Sequence, residues 1–143
     1  MLTEKDYCDY DTCVALKELG YNRGAYAYYF PNHKEDLIFN THQMRGCSIN
    51  EMVKSYNTYP KDVMGHELID APTMWEAQKF LREEKCLHIE VLYQPACWTG
   101  RILDLTEWKY IKGFTFFESF EDTLHTLIKE AVKILKENET IHE

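Results

Sequence analysis

Hydrophobic positions along this chain switch between a helical and a β period, and the switches mark out its elements. Tyr10, Cys13, Val14 and Leu16 recur at helical spacing over 10–19, with Asp11, Lys17 and Glu18 on the polar side. Asp9 stands where a side chain can accept from the first open N–H groups. Gly20 stands where a helix often ends in a left-handed residue. The period then drops to two. Over 24–30, Tyr26, Tyr28 and Phe30 share one face, and Ala25, Ala27 and Tyr29 the other. After a polar turn at Pro31-Asn32-His33-Lys34, the run 35–41 alternates with Leu37 and Phe39 on one side. Two β runs joined by a short turn predict an antiparallel hairpin.

The stretch 43–68 is the least patterned. Ser48-Ile49-Asn50-Glu51 fits a capping box for a short helix to about residue 56, and Pro60 forbids a longer one. A brief strand is expected at 63–69. The pattern then sharpens. Thr73-Met74-Trp75-Glu76 is a second capping box, and Met74, Ala77, Phe80 and Leu81 trace a helix to about residue 84. Leu87, Ile89, Val91 and Tyr93 alternate with His88, Glu90 and Leu92 in a clear strand, which Pro95 ends or marks as an edge. Two more strands follow at 98–105 and 108–117, joined near Thr106-Glu107, with Gly113 as the expected bend or bulge. Behind a Ser119 cap, Phe120, Leu124, Leu127, Ile128, Ala131, Ile134 and Leu135 form the apolar stripe of a long helix over 120–137. The tail 138–143 is expected to fray.

Consecutive strands without intervening helices favour antiparallel pairing, and one-sided helices must bury their stripes against a sheet. The prediction is an α+β fold: a two-layer sandwich with one mostly antiparallel sheet of four to five strands and helices on one face. A chain of 143 residues without repeat or linker is expected to form a single globular domain over 1–143.

Composition narrows the function classes. Lys+Arg 16 against Asp+Glu 24 gives a net charge of −8, which repels phosphate backbones and anionic lipid. Nucleic acid and membrane are therefore not expected as partners. Lys129, Lys133 and Lys136 share their helix with Glu130 and Glu137, a mixed solvated face and no basic patch. No apolar run approaches the ~20 residues that span a bilayer. Met1-Leu2-Thr3-Glu4-Lys5-Asp6 lacks the basic-then-apolar order of an export signal. Cys8, Cys13, Cys47, Cys86 and Cys97 are odd in number and irregular in spacing, as free thiols in the cytoplasm would be.

Ala15-Leu16-Lys17-Glu18-Leu19-Gly20-Tyr21-Asn22, Ala71-Pro72-Thr73 and Glu76-Ala77-Gln78-Lys79-Phe80-Leu81-Arg82-Glu83 resemble a family of short uncharacterised proteins from gut bacteria and their phages. Phe120-Glu121-Asp122-Thr123-Leu124 and its helix look like that family's last element. The likeness runs from about residue 7 to 136, and departs in 43–68, which the family keeps shorter. Its motifs are helices and caps, so the resemblance implies a one-domain architecture and a phage origin and carries no catalytic residue.

The residues themselves offer little chemistry. Structural zinc sites need two close ligand pairs, whereas no Cys-x-x-Cys exists and His33 and His42 are far apart. No metal and no cofactor is expected. There is no Gly-x-Ser-x-Gly elbow, and Cys97 beside Trp98 has no histidine near it in sequence. Only 6 glycines, none clustered, leave no phosphate-binding loop. Glu83 and Glu84 close a helix, and Glu118, Glu121 and Asp122 open one, where the helix dipole favours negative charge. His88 and Glu90 share a strand face and read as surface residues.

The surplus is aromatic: 14% of the chain, including Trp75, Trp98 and Trp108. Each tryptophan reads first as a plug at the edge of the core. Exposed together, they would form a protein-binding anchor patch. The leading expectation is a non-enzymatic module that binds another protein. The rival is a small hydrolase whose site forms between 43–68 and the sheet. A third reading is a dimer joined through the edge strand near Pro95.

Overall fold

The computed structural model describes residues 2–31, 33–39 and 68–142, and they form an α+β fold of three α-helices and two three-stranded antiparallel sheets. The class is the expected one; the single sheet of four to five strands is instead two sheets. The expected short helix near 48–56 and the β residues 63–67 lie outside the described residues. The chain divides into two compact units, Met1–Thr73 and Met74–Glu143.

In the first unit a single 3-10 turn, Glu4–Asp6, leads into α1, Tyr10–Glu18. Asp9 caps α1 by accepting from the Thr12 N–H at 3.0 Å, and Gly20 leaves it at φ +96°. The buried side of α1 is Thr12, Cys13 and Leu16. The sheet runs β2-β1-β3, with β1 Ala27–Tyr29, β2 Ile38–Phe39 and β3 Ile69–Asp70. The expected hairpin is present, with Ala27 opposite Phe39 and Tyr28 opposite Ile38. A strand distant in sequence, β3, takes the other edge of β1. Local alternation shows a strand's faces but not its distant partner. Of the two faces of β1, the one carrying Ala25, Ala27 and Tyr29 is buried.

In the second unit α2, Met74–Lys85, buries Met74, Ala77, Phe80 and Leu81, the stripe its spacing predicts. Cys86 turns the chain at φ 56° into β4, Leu87–Gln94. β5, Cys97–Asp104, is the central strand, and β6, Lys109–Phe117, completes the order β4-β5-β6. α3, Phe120–His142, is capped by the Ser119 hydroxyl accepting from Asp122 N–H at 3.0 Å, and it continues past the expected end near 137.

Because α2 and α3 pack on the sheet and on each other, they cover the same face. Leu87, Ile89 and Ile102 bury there against Leu124, Leu127, Ile128 and Ala131. Gly100 faces α3 so closely that a Cβ would overlap the Leu127 side chain and press on Thr123. The bulges do not fall at Gly113, which stands in register opposite Arg101. They lie to either side of it, where the pairing of β6 with β5 skips Ile111 and, further on, a residue between 114 and 117. Among the described residues no helix is long and apolar enough to cross a membrane.

Candidate functional site

The face of the second sheet opposite its helices carries a cross-strand polar cluster. Partners in register share a face, so Glu90 and Arg101 stand together, as do His88, Leu103 and Tyr110. The Arg101 guanidinium donates to Glu90 Oε2 at 2.9 Å and lies 4.2 Å over the Tyr110 ring. The Tyr110 hydroxyl donates to the same carboxylate oxygen at 3.4 Å. Three side chains on three strands thereby fix one another.

The groups are half-exposed, so the ion pair adds at most about 1 kcal/mol of stability. Its consequence is geometric: a guanidinium stacked on a ring and tethered by a carboxylate loses most of its rotamers before any ligand arrives. Gly113 adds no side chain beside Arg101; a Cβ there would come no closer than 3.9 Å to it.

Two residues before Tyr110, the β5–β6 turn lifts Trp108 into solvent. Asp104 Oδ1 accepts from the Thr106 and Glu107 N–H groups at 2.8 and 3.3 Å, which winds the turn tightly. Trp108 then closes it at φ 55°, a left-handed conformation costly for any residue with a Cβ. It is 76% exposed. A strained backbone holding a large ring in water is not a core plug.

The other tryptophans sit elsewhere. Trp98, at the far end of β5, is half-buried between Tyr93 at 4.9 Å and Phe120 at 5.5 Å. Trp75 lies exposed in the first turn of α2. Trp98 and Trp108 are thus separated by the length of β5, about 20 Å. What the fold brings close to Trp108 in the chain is Tyr110, two residues on, whose ring carries Arg101 and whose hydroxyl reaches Glu90. Nothing in the local sequence marks Arg101, because its role depends on strand register and not on any local motif. The signal was there in part: His88 and Glu90 read as one strand face, and that face is where Arg101 arrives.

Elsewhere several polar contacts tie the fold together. In the first unit the Cys8 carbonyl accepts from the Tyr29 hydroxyl at 3.1 Å and the Cys13 thiol at 3.4 Å. Burial first, then the neighbouring Cys8, Asp9 and Asp70, push the Cys13 thiol well above its usual range. It stays protonated at neutral pH, the opposite of an activated nucleophile. Burial likewise raises the Tyr29 phenol. Cys97 stands opposite Gln94 in the ladder, with no histidine in register beside it. Among the described residues no three His, Cys, Asp or Glu side chains converge as metal ligands would.

No family model, curated protein or solved structure matches the chain.

Proposed function

We propose that this chain is a protein-binding module whose contact centre is the β5–β6 turn and the adjacent face of β6. The observation that carries it is Trp108, held 76% exposed by a left-handed backbone immediately before the ordered Arg101–Tyr110 stack. Trp, Tyr and Arg are the residue types that most often dominate binding energy at protein interfaces. Here all three come from one hairpin, and Arg101 and Tyr110 are ordered in advance by each other and by Glu90, which lowers the entropy cost of association. Ile111, exposed at the bulge, extends the apolar area. The Glu90–Arg101 pair leaves the patch locally near neutral, which suits a protein surface better than a phosphate backbone. The resemblance to short proteins of gut bacteria and phages is compatible with this reading and assigns no activity of its own.

The test is affinity capture from a lysate of the source organism with wild-type bait, Trp108→Ala and Leu92→Glu. Partners retained by wild type and Leu92→Glu but lost with Trp108→Ala are the expected result. Binding lost by about a hundredfold fits removal of one hot-spot ring. Partners retained by Trp108→Ala sink the reading.

A further inference from the structure

The opposite edge of the same sheet carries a second, independent feature. β4 pairs with β5 through eight consecutive residues without a shift, and nothing pairs with its outer side among the described residues. The Cys86 carbonyl accepts from Leu105 N–H at 2.9 Å, so even-numbered residues along β4 turn their backbone groups toward β5. Odd-numbered residues turn theirs outward. The Ile89 carbonyl confirms this by accepting from the Gln78 side chain of α2 at 3.0 Å.

The outward groups of the edge are thereby divided. Ile89 is capped by Gln78, and Pro95, beyond the strand, has no N–H to offer. Between them, among the described residues, the outward N–H and C=O groups of Val91 and Tyr93 meet no further strand. The side chains around this opening are apolar and exposed: Leu92, and Tyr93 at 67%. Trp75 joins them. It lies one helical turn before Gln78 on the same side of α2, and since α2 runs antiparallel to β4 this sets it about level with Val91. Such an edge, regular and free of bulges, is a template for another strand.

We propose that the occupant is a second copy of this chain, paired antiparallel through β4 about a two-fold axis at Leu92. In that register Val91 and the partner's Tyr93 exchange both backbone bonds, and the symmetry repeats the exchange with the two chains interchanged. The opening between Gln78 and Pro95 is the length this exchange uses. A two-fold axis at Val91 would instead set Ile89, whose carbonyl Gln78 already holds, opposite the partner's Tyr93.

Side chains agree with the axis at Leu92. Leu92 meets the partner's Leu92, and Val91 meets the partner's Tyr93, a β-branched residue against an aromatic one. Glu90 meets the partner's Gln94, so no acidic residue faces another across the edge despite a net charge of −8. The two sheets become one of six strands, and Trp75 of each copy approaches the join from the helix side. Strand pairing this short buries less than a standard interface, so the dimer is of micromolar strength.

The experiment is sedimentation equilibrium of the full chain, with Leu92→Glu, Leu92→Lys and an equal mixture of the two. Wild type at roughly 100 µM should show twice the 17.0 kDa chain mass. Each variant alone sets like charges on the axis and should raise the dissociation constant about tenfold or more. The mixture sets opposite charges there and should restore the dimer, which a folding defect could not do. A monomeric wild type, dimeric single variants, or an unrestored mixture each overturns the proposal. Trp108→Ala should leave the dimer intact, so this result is independent of the fate of the partner-binding reading.

Discussion

The two edges of the second sheet are built for different kinds of contact. On β4 the register is unbroken and the backbone is the exposed feature. On β6 two bulges interrupt the ladder, at Ile111 and between 114 and 117, and the exposed features are the side chains of Trp108 and Tyr110. A bulge twists an edge away from a flat incoming strand and re-aims the residues beside it. One edge therefore invites pairing and the other resists it while presenting rings. The lesson is that exposure of apolar side chains does not by itself define a binding mode; the regularity of the strand beneath them does.

The largest expected effect comes from the strand the edges share. Gly100 sits in the centre of β5 under α3, where a Cβ would overlap Leu127, and both Leu127 and Thr123 are fully buried. Gly100→Val should therefore destabilise the protein by about 3 kcal/mol, through overpacking of the helix–sheet layer. Urea unfolding followed by far-UV circular dichroism measures it. Because β5 carries both neighbours, this variant should weaken β4 pairing and partner binding together. Loss of one function with the other intact would show that the edges do not depend on a common core.

The second effect separates stability from contact on the β6 edge. Trp108 holds φ 55°, a conformation that Asn accepts far more readily than Trp. Since the ring is mostly in water, few packing contacts are lost on its removal. Trp108→Asn should stabilise the fold by about 1 kcal/mol while abolishing capture of the partner. Thermal unfolding and the capture assay read the two halves. A variant that is less stable than wild type would mean that the ring packs in solution, and the reading of Trp108 as an anchor would fall with it.

Much of this fold is legible in the sequence, and what is not legible has physical causes. α2 and β4 were read nearly to the residue, because Met74, Ala77, Phe80 and Leu81 keep a helical period and Leu87 to Tyr93 keep a strict alternation. The split into two sheets was not, because β3 reaches β1 across a long stretch of chain and local alternation does not encode distant partners. The bulge was expected at Gly113 because glycine tolerates irregular backbone. The break instead flanks it, at Ile111, where the register must absorb an extra residue beside the tight Asp104 turn. The Trp108 cluster was half visible. Its aromatic surplus stood in the composition, but Arg101 joins Glu90 and Tyr110 only through pairing of β4, β5 and β6.

The smallest effect concerns the β4 edge. Pro95 and Ala96 form the two-residue turn between β4 and β5, with Ala96 at φ 69°. Proline first and a left-handed residue second is the pattern of a type II turn, in which the second place is normally glycine. Ala96 bears the steric cost of its Cβ, so Ala96→Gly relieves strain in the native turn. Glycine also gives the unfolded chain more freedom, which cancels part of the gain. The net should be a stabilisation of about 0.5 kcal/mol, read as a small rise in the urea midpoint at unchanged slope. The turn fixes the end of β4 where Tyr93 and Pro95 bound the open edge, so a firmer turn should hold that edge at least as well. Self-association weaker in Ala96→Gly than in wild type would mean that the strained turn itself shapes the edge, and that β4 is less regular in solution than its register shows.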